Sequence, residues 1–395
     1  MQKALRIFAV LALAVPGGAG FSQQAAGAGD KWDVNRSLGF DRTLELQTSE
    51  GTWISVDVSP DGRWVAFDLL GDIYRIPIQG GAAERLTSGA AWDHLPRWSP
   101  SGNAIAFVSD RDGADNIWAI APNGASARAI TKEKETLPTN PGWSPDGDYI
   151  VVKRHVTDTR SLGGGEIWLY HVLGGKGATL VTRQGFTSDK NEPAFSPDGR
   201  YVYYDQAGAF EYNRNVHAGI FQISRYDRQT GVITPVTRGE GGAVRPTPSP
   251  DGKWLAFVRR IGLRTVLMLR DLDAGSERVL FDGLDHDQME AWTLHGAFPG
   301  FGWTPDSKRI VIAYGGKIHS LDISSGRATD IPFTARVQVP MTRTVHFPQS
   351  LETGDTFRAR VIRWPTISPD GKTLLFQAVG RIWSCLLYTS PSPRD

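Results

Sequence analysis

Cysteine is all but absent. Cys385 is the only one in 395 residues, so no disulfide framework holds this chain together. An excess of either charge is missing too: 43 basic and 42 acidic residues leave a formal net charge of +1, which implies no polyelectrolyte partner such as nucleic acid. No stretch after the N-terminus reaches the roughly 18 apolar residues that a membrane-spanning helix needs. There is no Gly-x-Ser-x-Gly elbow, no His-Glu-x-x-His and no phosphate-binding glycine loop. The eight histidines are scattered and include no His-x-His pair. No catalytic constellation emerges from these residues, and no cofactor is expected in this chain.

What the chain has in abundance is turn chemistry. Residues 51–89 form one unit: a strand from Thr52 to Val58, the turn Ser59-Pro60-Asp61-Gly62, a strand from Trp64 to Leu69, the turn Gly71-Asp72, a strand from Ile73 to Ile78, and a short fourth strand around Arg85 to Thr87. In the turn, Pro presets φ, Asp caps the backbone and Gly supplies a positive φ. The turn recurs at Ser99, Ser144, Ser196, Ser249, Thr304 (as Thr-Pro-Asp-Ser307) and Ser368, at spacings of 40 to 64 residues. Six and eight residues after each Ser or Thr stands an apolar pair, from Val65 and Phe67 to Leu374 and Phe376. That period of two means a strand with one face always buried. A third strand usually opens on Ile and an aromatic (Ile73-Tyr74, Ile117-Trp118, Ile167-Trp168), and a fourth shows as Leu86-Thr87, Ile130-Thr131, Val181-Thr182 and Val236-Thr237. Four antiparallel strands in about 40 residues make one propeller blade, and a blade buries its faces only against its neighbours. The expected fold is all-β: a propeller of about six to seven four-stranded blades, its ring either closed or incomplete. The 44 glycines and 13 tryptophans suit such a turn-dense protein with aromatic-filled interfaces.

The N-terminus reads differently. Lys3 and Arg6 precede an apolar run from Ile7 to Val15 and then Pro16-Gly17-Gly18, the layout of a cleavable signal peptide over residues 1–22. A periplasmic or secreted location follows as the expectation, with a buried first helix as the alternative. Residues 23–41 are a linker or N-terminal segment and 42–384 the propeller. Thr43 to Gln47 reads equally as the strand that closes the ring or as an edge segment on the first blade.

The longer repeats place insertions at 153–165, 205–218 and 281–300, and loops on one propeller face are where binding usually resides. The densest acidic cluster is there: Asp285, His286, Asp287 and Glu290, beside Asp282. Oxygen ligands at that density suit a divalent cation, and a solvated acidic loop is the plainer reading. Asp110-Arg111-Asp112-Gly113 reads as a hairpin turn in preference to a calcium loop. Residues 385–395 break the repeat and resemble a translated sequencing adapter. On that reading they are a non-native tail, Cys385 is not native, and the natural chain continues. The alternative is that Ser384 to Tyr388 finish a third strand.

The Ser-Pro-Asp-Gly repeat followed by an aliphatic strand resembles the propellers of TolB-like proteins and those preceding the peptidase domain of prolyl-oligopeptidase-type enzymes. A closer resemblance is to exported amidohydrolases that carry a TolB-like propeller before a metal-dependent hydrolase domain. It is carried by Phe67-Asp68-Leu69-Leu70-Gly71-Asp72-Ile73-Tyr74, by Ser109-Asp110-Arg111-Asp112-Gly113, by Asp287-Gln288-Met289-Glu290-Ala291 ahead of Phe298-Pro299-Gly300-Phe301, and by Ile331-Pro332-Phe333-Thr334. The resemblance implies a following barrel that holds a divalent, zinc-like metal and hydrolyses an amide or related C–N bond. None of that barrel's ligand positions exists in this chain. The implied partner is the chain's own missing hydrolase domain, with an envelope protein or a peptide ligand as further candidates and no membrane span. The other readings are a stand-alone TolB-like binding propeller and the propeller of a serine peptidase.

Overall fold

The computed structural model describes residues 33–37, 39–157, 163–185, 188–207, 220–291, 293–343 and 354–387. The signal-peptide segment, most of the 205–218 insertion and the tail beyond 387 lie outside them. Among the described residues, apart from the four-residue helix Val34–Ser37, every element is a strand. The chain divides into two compact units, 1–343 and 344–395.

The first unit holds six four-stranded antiparallel sheets, each formed by one consecutive stretch of chain. From the axis outward, blade one is Val56–Val58, Trp64–Leu69, Asp72–Pro77 and Glu84–Arg85, and blade six is Gly302–Trp303, Arg309–Tyr314, Lys317–Asp322 and Ala328–Ile331. Blade one's first strand starts at Val56, four residues later than its β-formers suggest, because Trp53 is left-handed at φ 59°. The ring is closed: the innermost strands of blades one and six pack together, and the Val56 N–H donates to the Gly300 carbonyl at 2.8 Å.

The turns that carry the aspartate are all held in the same way, whereas in the second copy Ser101 replaces it and the Ser99 hydroxyl donates to Asn103 Oδ1 at 3.1 Å. The Ser59 hydroxyl donates to Asp61 Oδ1 at 2.5 Å and accepts from the Trp64 N–H at 2.9 Å, while the Gly62 N–H closes the turn onto the Ser59 carbonyl at 2.8 Å. Thr304 and Ser307 reproduce the geometry, with Ser307 forced to φ 58°. The serine has its own use, since its hydroxyl accepts from the Asp251 N–H of the preceding blade's turn at 3.1 Å. The outer-strand threonines latch blades from the side: Thr87, Thr131 and Thr237 hydroxyls accept from the N–H groups of Ile73, Ile117 and Ile223 at 2.8–2.9 Å.

Thr43–Gln47 lies within a longer strand, Phe40–Thr48, which pairs antiparallel with Phe333–Thr342, directly after blade six. That second strand pairs in parallel with Gly81-Ala82 of blade one's edge. The ribbon therefore ties the outer margins of blades six and one together instead of completing either blade's sheet. Its inner face is apolar: Phe333, Ala335 and Val337 are buried, with the Phe333 ring 5.1 Å from that of Phe67. The seventh turn, at Ser368, belongs to the second unit, where Arg363–Ile367, Thr373–Ala378 and Arg381–Leu386 form a separate three-stranded sheet. Trp364 and Ile382 are exposed on it.

Because Phe333 joins the ribbon to the core, Phe333→Ala should destabilise the protein by about 3–5 kcal/mol. Equilibrium denaturation measures this directly, and a loss below about 1 kcal/mol would mean that the ribbon does not brace the ring.

Candidate functional site

The innermost strands place side chains on the axis by a repeated backbone device. Four residues before the turn Ser, Leu95, Asn140, Glu192 and Arg245 are all left-handed, with φ between 51° and 58°. A proline follows each one: Pro96, Pro141, Pro193 and Pro246. The strand pairing of each of these four blades is irregular at this point. A bulge re-aims a side chain out of the sheet, and here three of the four carry polar groups inward. Such positive φ values at non-glycine residues cost energy and mark places the surrounding structure over-determines.

The outcome is a funnel of about 480 Å³ on the turn face of the ring, lined by residues of all six blades. Its walls include one turn proline per blade (Pro60, Pro100, Pro145, Pro197, Pro250, Pro305) together with Trp98, Trp143 and Trp303. Its floor is polar: Asp57, Arg97, Asn140, Glu192 and Arg245. Arg97 lies 3.6 Å from Asp57 and donates to the carbonyls of Val56 and Phe301 at 3.3 and 3.2 Å. Burial pushes Asp57 up to about 6, with the Arg97 charge pulling the other way.

Below the floor the axis is filled. Arg245 is buried and pairs with Glu192 at 3.1 Å. It also donates to Asn140 Oδ1 at 2.9 Å and, through Nε, to the Phe298 carbonyl at 2.9 Å. Glu192 accepts in turn from the Arg245 and Ala297 N–H groups, the latter at 2.7 Å. Buried Asp205 sits beside this pair, and burial together with the Glu192 charge holds its carboxyl well above the usual carboxylate range.

Phe298 and Ala297 belong to the 281–300 insertion, which crosses the other mouth of the ring as a cap. Gly300 donates to the Ser55 hydroxyl at 3.1 Å, Lys153 Nζ donates to the Thr293 carbonyl at 3.1 Å, and His295 Nε2 lies 2.8 Å from Asp115 Oδ2. Blades one to five thus each hold the cap through a polar contact. The acidic cluster read from the sequence lies here, and Arg260 takes up two of its members. Asp287 is buried, 2.5 Å from Arg260 Nη2, and accepts from the Thr265 hydroxyl at 2.6 Å. Glu290 lies 2.7 Å from the same guanidinium. Asp285 accepts from the Gly315 N–H at 2.8 Å, and His286 is exposed, 3.7 Å from Glu290. The four do not converge on one point. Asp110-Arg111-Asp112-Gly113 spans the turn between strands Ile105–Ser109 and Asn116–Ile120, and Arg111 pairs with Asp93 at 2.7 Å.

With the closed ring in view, the comparisons with known proteins decide its type. A profile described as the TolB beta propeller domain matches residues 42–209. The fold of the ring is a β-propeller of TolB-like type. The chain is 29% identical over 272 residues to an uncharacterised protein of Agrobacterium fabrum, covering 63% of this chain and 80% of that one. It is 29% identical over 210 residues to the uncharacterised peptidase YuxL of Bacillus subtilis, covering 50% of this chain but only 28% of that one. Among solved structures, TolB from Acinetobacter baumannii superposes with a TM-score of 0.53 at 18% identity, covering 72% of this chain and 66% of that chain. That last likeness is one of fold.

The axis residues of the TolB-like ring were not singled out from the sequence. Their signal is nevertheless there: x-Pro at positions four and three before the turn Ser. A second signal is the residue nine after that Ser, which is Val108, Val258 or Ala313 in three blades but Asp68, Lys153 or Asp205 in the others. Charges at a register position that is otherwise apolar announce a buried polar axis.

Removing one partner of a buried ion pair leaves the other uncompensated, so Arg245→Met should cost about 3–5 kcal/mol, with Glu192→Gln in addition recovering part of the loss. Denaturant titration of the two variants checks this, and a double variant no more stable than the single would show that the two residues are not coupled.

Proton linkage gives a separate expectation. Hydrogen bonds from Ser59 and the Arg63 N–H hold Asp61 at about 2, and the other turn aspartates are lowered for the same reason. Their contribution is present above the unfolded value of about 4 and lost as pH falls below it, through about 2 for Asp61. Burial instead raises Asp57 and Asp68 to about 6 and Asp72 to about 7. The stability they favour is full below about 4 and lost as pH rises through about 6 to 7. The melting temperature should therefore peak in mildly acidic buffer and decline on both sides, and a maximum above pH 8 would contradict this assignment.

Proposed function

We propose that this propeller is the ligand-binding part of an exported metal-dependent amidohydrolase, and that it binds substrate in the axial funnel instead of passing it through the ring. The filled axis carries this reading. Arg245, Glu192 and the cap close the route between the two faces, so the funnel is blind. Its proline and tryptophan walls offer apolar contact, and the Arg97–Asp57 pair at its floor offers one group of each charge. That combination suits a peptide-like ligand with a free end.

The hydrolase context is supported by the resemblance of Asp287-Gln288-Met289-Glu290-Ala291, Phe298-Pro299-Gly300-Phe301 and the other runs quoted above. It is also supported by the B. subtilis peptidase relative, of which this chain spans only 28%. The seventh repeat forms its own three-stranded sheet in the second unit. Metal-assisted hydrolysis belongs in this reading to a domain after the propeller, and no step of it is assigned to propeller residues. The export signal read in residues 1–22 places the enzyme in the periplasm or outside the cell. A second reading, a stand-alone binding propeller meeting an envelope protein or peptide, is favoured by the A. fabrum relative, of which the chain spans 80%.

Sequencing the native gene past the codon for Ser384, and assaying its full product, separates these readings. The expected result is an open frame leading to a His-x-His-bearing barrel, with metal-dependent amide hydrolysis whose KM rises about tenfold or more in Arg97→Ala while kcat holds. A stop soon after the seventh repeat would overturn the hydrolase reading in favour of the binding propeller, and a downstream Gly-x-Ser-x-Gly elbow would make it a serine peptidase.

A further inference from the structure

On the cap side of the ring lies a second cavity, of about 370 Å³, whose lining includes Trp53, Asp68, Trp92, His94, Gln288 and His295. Two of these, His94 and His295, lie close to the side chain of Asp115. His94 opens the innermost strand of blade two, Asp115 precedes that blade's third strand, and His295 comes from the cap. One ligand atom from each lies within 4.8 Å of the other two. The His94 and His295 rings stand edge to face with centroids 4.6 Å apart, and His295 Nε2 is 2.8 Å from Asp115 Oδ2. Among the described residues this is the one group of three or more such side chains arranged so closely.

The independent observation is at His94. The residue is 5% exposed, stacked on Trp92 at 4.2 Å, and its Nε2 is buried with no hydrogen-bond partner. A buried ring nitrogen left unpaired in a polar pocket costs free energy, and such exceptions call for an explanation.

We infer that His94, Asp115 and His295 form a transition-metal site of zinc type, which staples the cap to blade two and leaves one coordination position facing the cavity. Two imidazoles and one carboxylate are a three-ligand zinc set, which leaves the fourth position for water or another ligand. Imidazole nitrogen selects zinc and its neighbours over calcium and magnesium, which prefer all-oxygen shells. Zinc bridges blade two and a cap that the ring otherwise holds by hydrogen bonds and ion pairs. Binding only the folded, capped state, it raises stability with its free concentration. The site stands apart from the substrate-binding reading of the funnel, and its failure would leave that reading intact.

The test uses the full chain stripped with chelator and then titrated with Zn²⁺, with bound metal, melting temperature and amide exchange of residues 282–300 recorded together. One Zn²⁺ per chain is expected, in the micromolar range or tighter, with a higher melting temperature and slower exchange in the cap. Excess Ca²⁺ or Mg²⁺ should not displace it. His295→Ala and Asp115→Asn should each weaken binding by about 10- to 100-fold or more and abolish the thermal shift. Asp115→Asn, the near-isosteric change, guards against loss through misfolding, which the metal-free melting curve would reveal. Absence of binding below about 1 mM, or unchanged binding in both variants, would overturn the assignment.

Discussion

The arginine on the axis is the group on which the remainder of this propeller depends. Arg245 is buried where a charge is expensive unless every donor is used, and its partners come from three directions: Asn140 on blade three, Glu192 on blade four, and the Phe298 carbonyl on the cap. Glu192 answers by accepting from the cap's Ala297 N–H. Apolar packing alone would hold six blades in a ring, but it is non-directional. This network also selects which cap conformation sits over the ring, because a shifted cap would leave a guanidinium and a carboxylate unpaired. The same logic repeats at the rim, where Arg260 draws Asp287 inward from what is otherwise an acidic surface loop and pairs with Glu290 at the surface.

How far the fold could be read ahead of the structure follows the range of the forces involved. The turn, the alternating strand and the Leu-Thr or Ile-Thr outer strand are decided within about ten residues, so each was legible as a repeat. The serine hydroxyl, aspartate and glycine act within a single tetrapeptide and its neighbours. Ring closure is not local. Thr43–Gln47 offered two readings because its partner strand begins at Phe333, nearly the whole ring away in sequence. Seven copies of the turn likewise leave the blade number open, since only the contact between blades one and six shows that six complete the circle.

The site was less legible for the same reason. Asp285, His286, Asp287 and Glu290 stand out in sequence because they are close together, yet proximity in sequence assigned them no common role. Asp287 is defined by Arg260 and Thr265, which a composition count cannot supply. Conversely, His94, Asp115 and His295 are unremarkable one by one, and only the crossing of the cap over blade two assembles them. The better guide was a register: a charged residue at a position where other repeats place Val or Ala, and a non-glycine residue before proline where the chain must turn left-handed. Breaks in an internal repeat, compared copy against copy, carry the information that a dense cluster does not.

The cap gives the two faces a common wall. Its residues 295 to 301 supply backbone carbonyls to Arg245 and Arg97 on the funnel side, and the His295 ring on the other. A displacement of this segment cannot be confined to one face, because the groups it presents to the funnel floor are fixed to the same short stretch of backbone. Interiors packed at this density do not deform continuously, so such a segment has few alternative positions in which all of these donors remain paired. The polar axis thus works in two ways at once. It seals the ring against passage, and it makes the state of the cap something that the funnel floor registers.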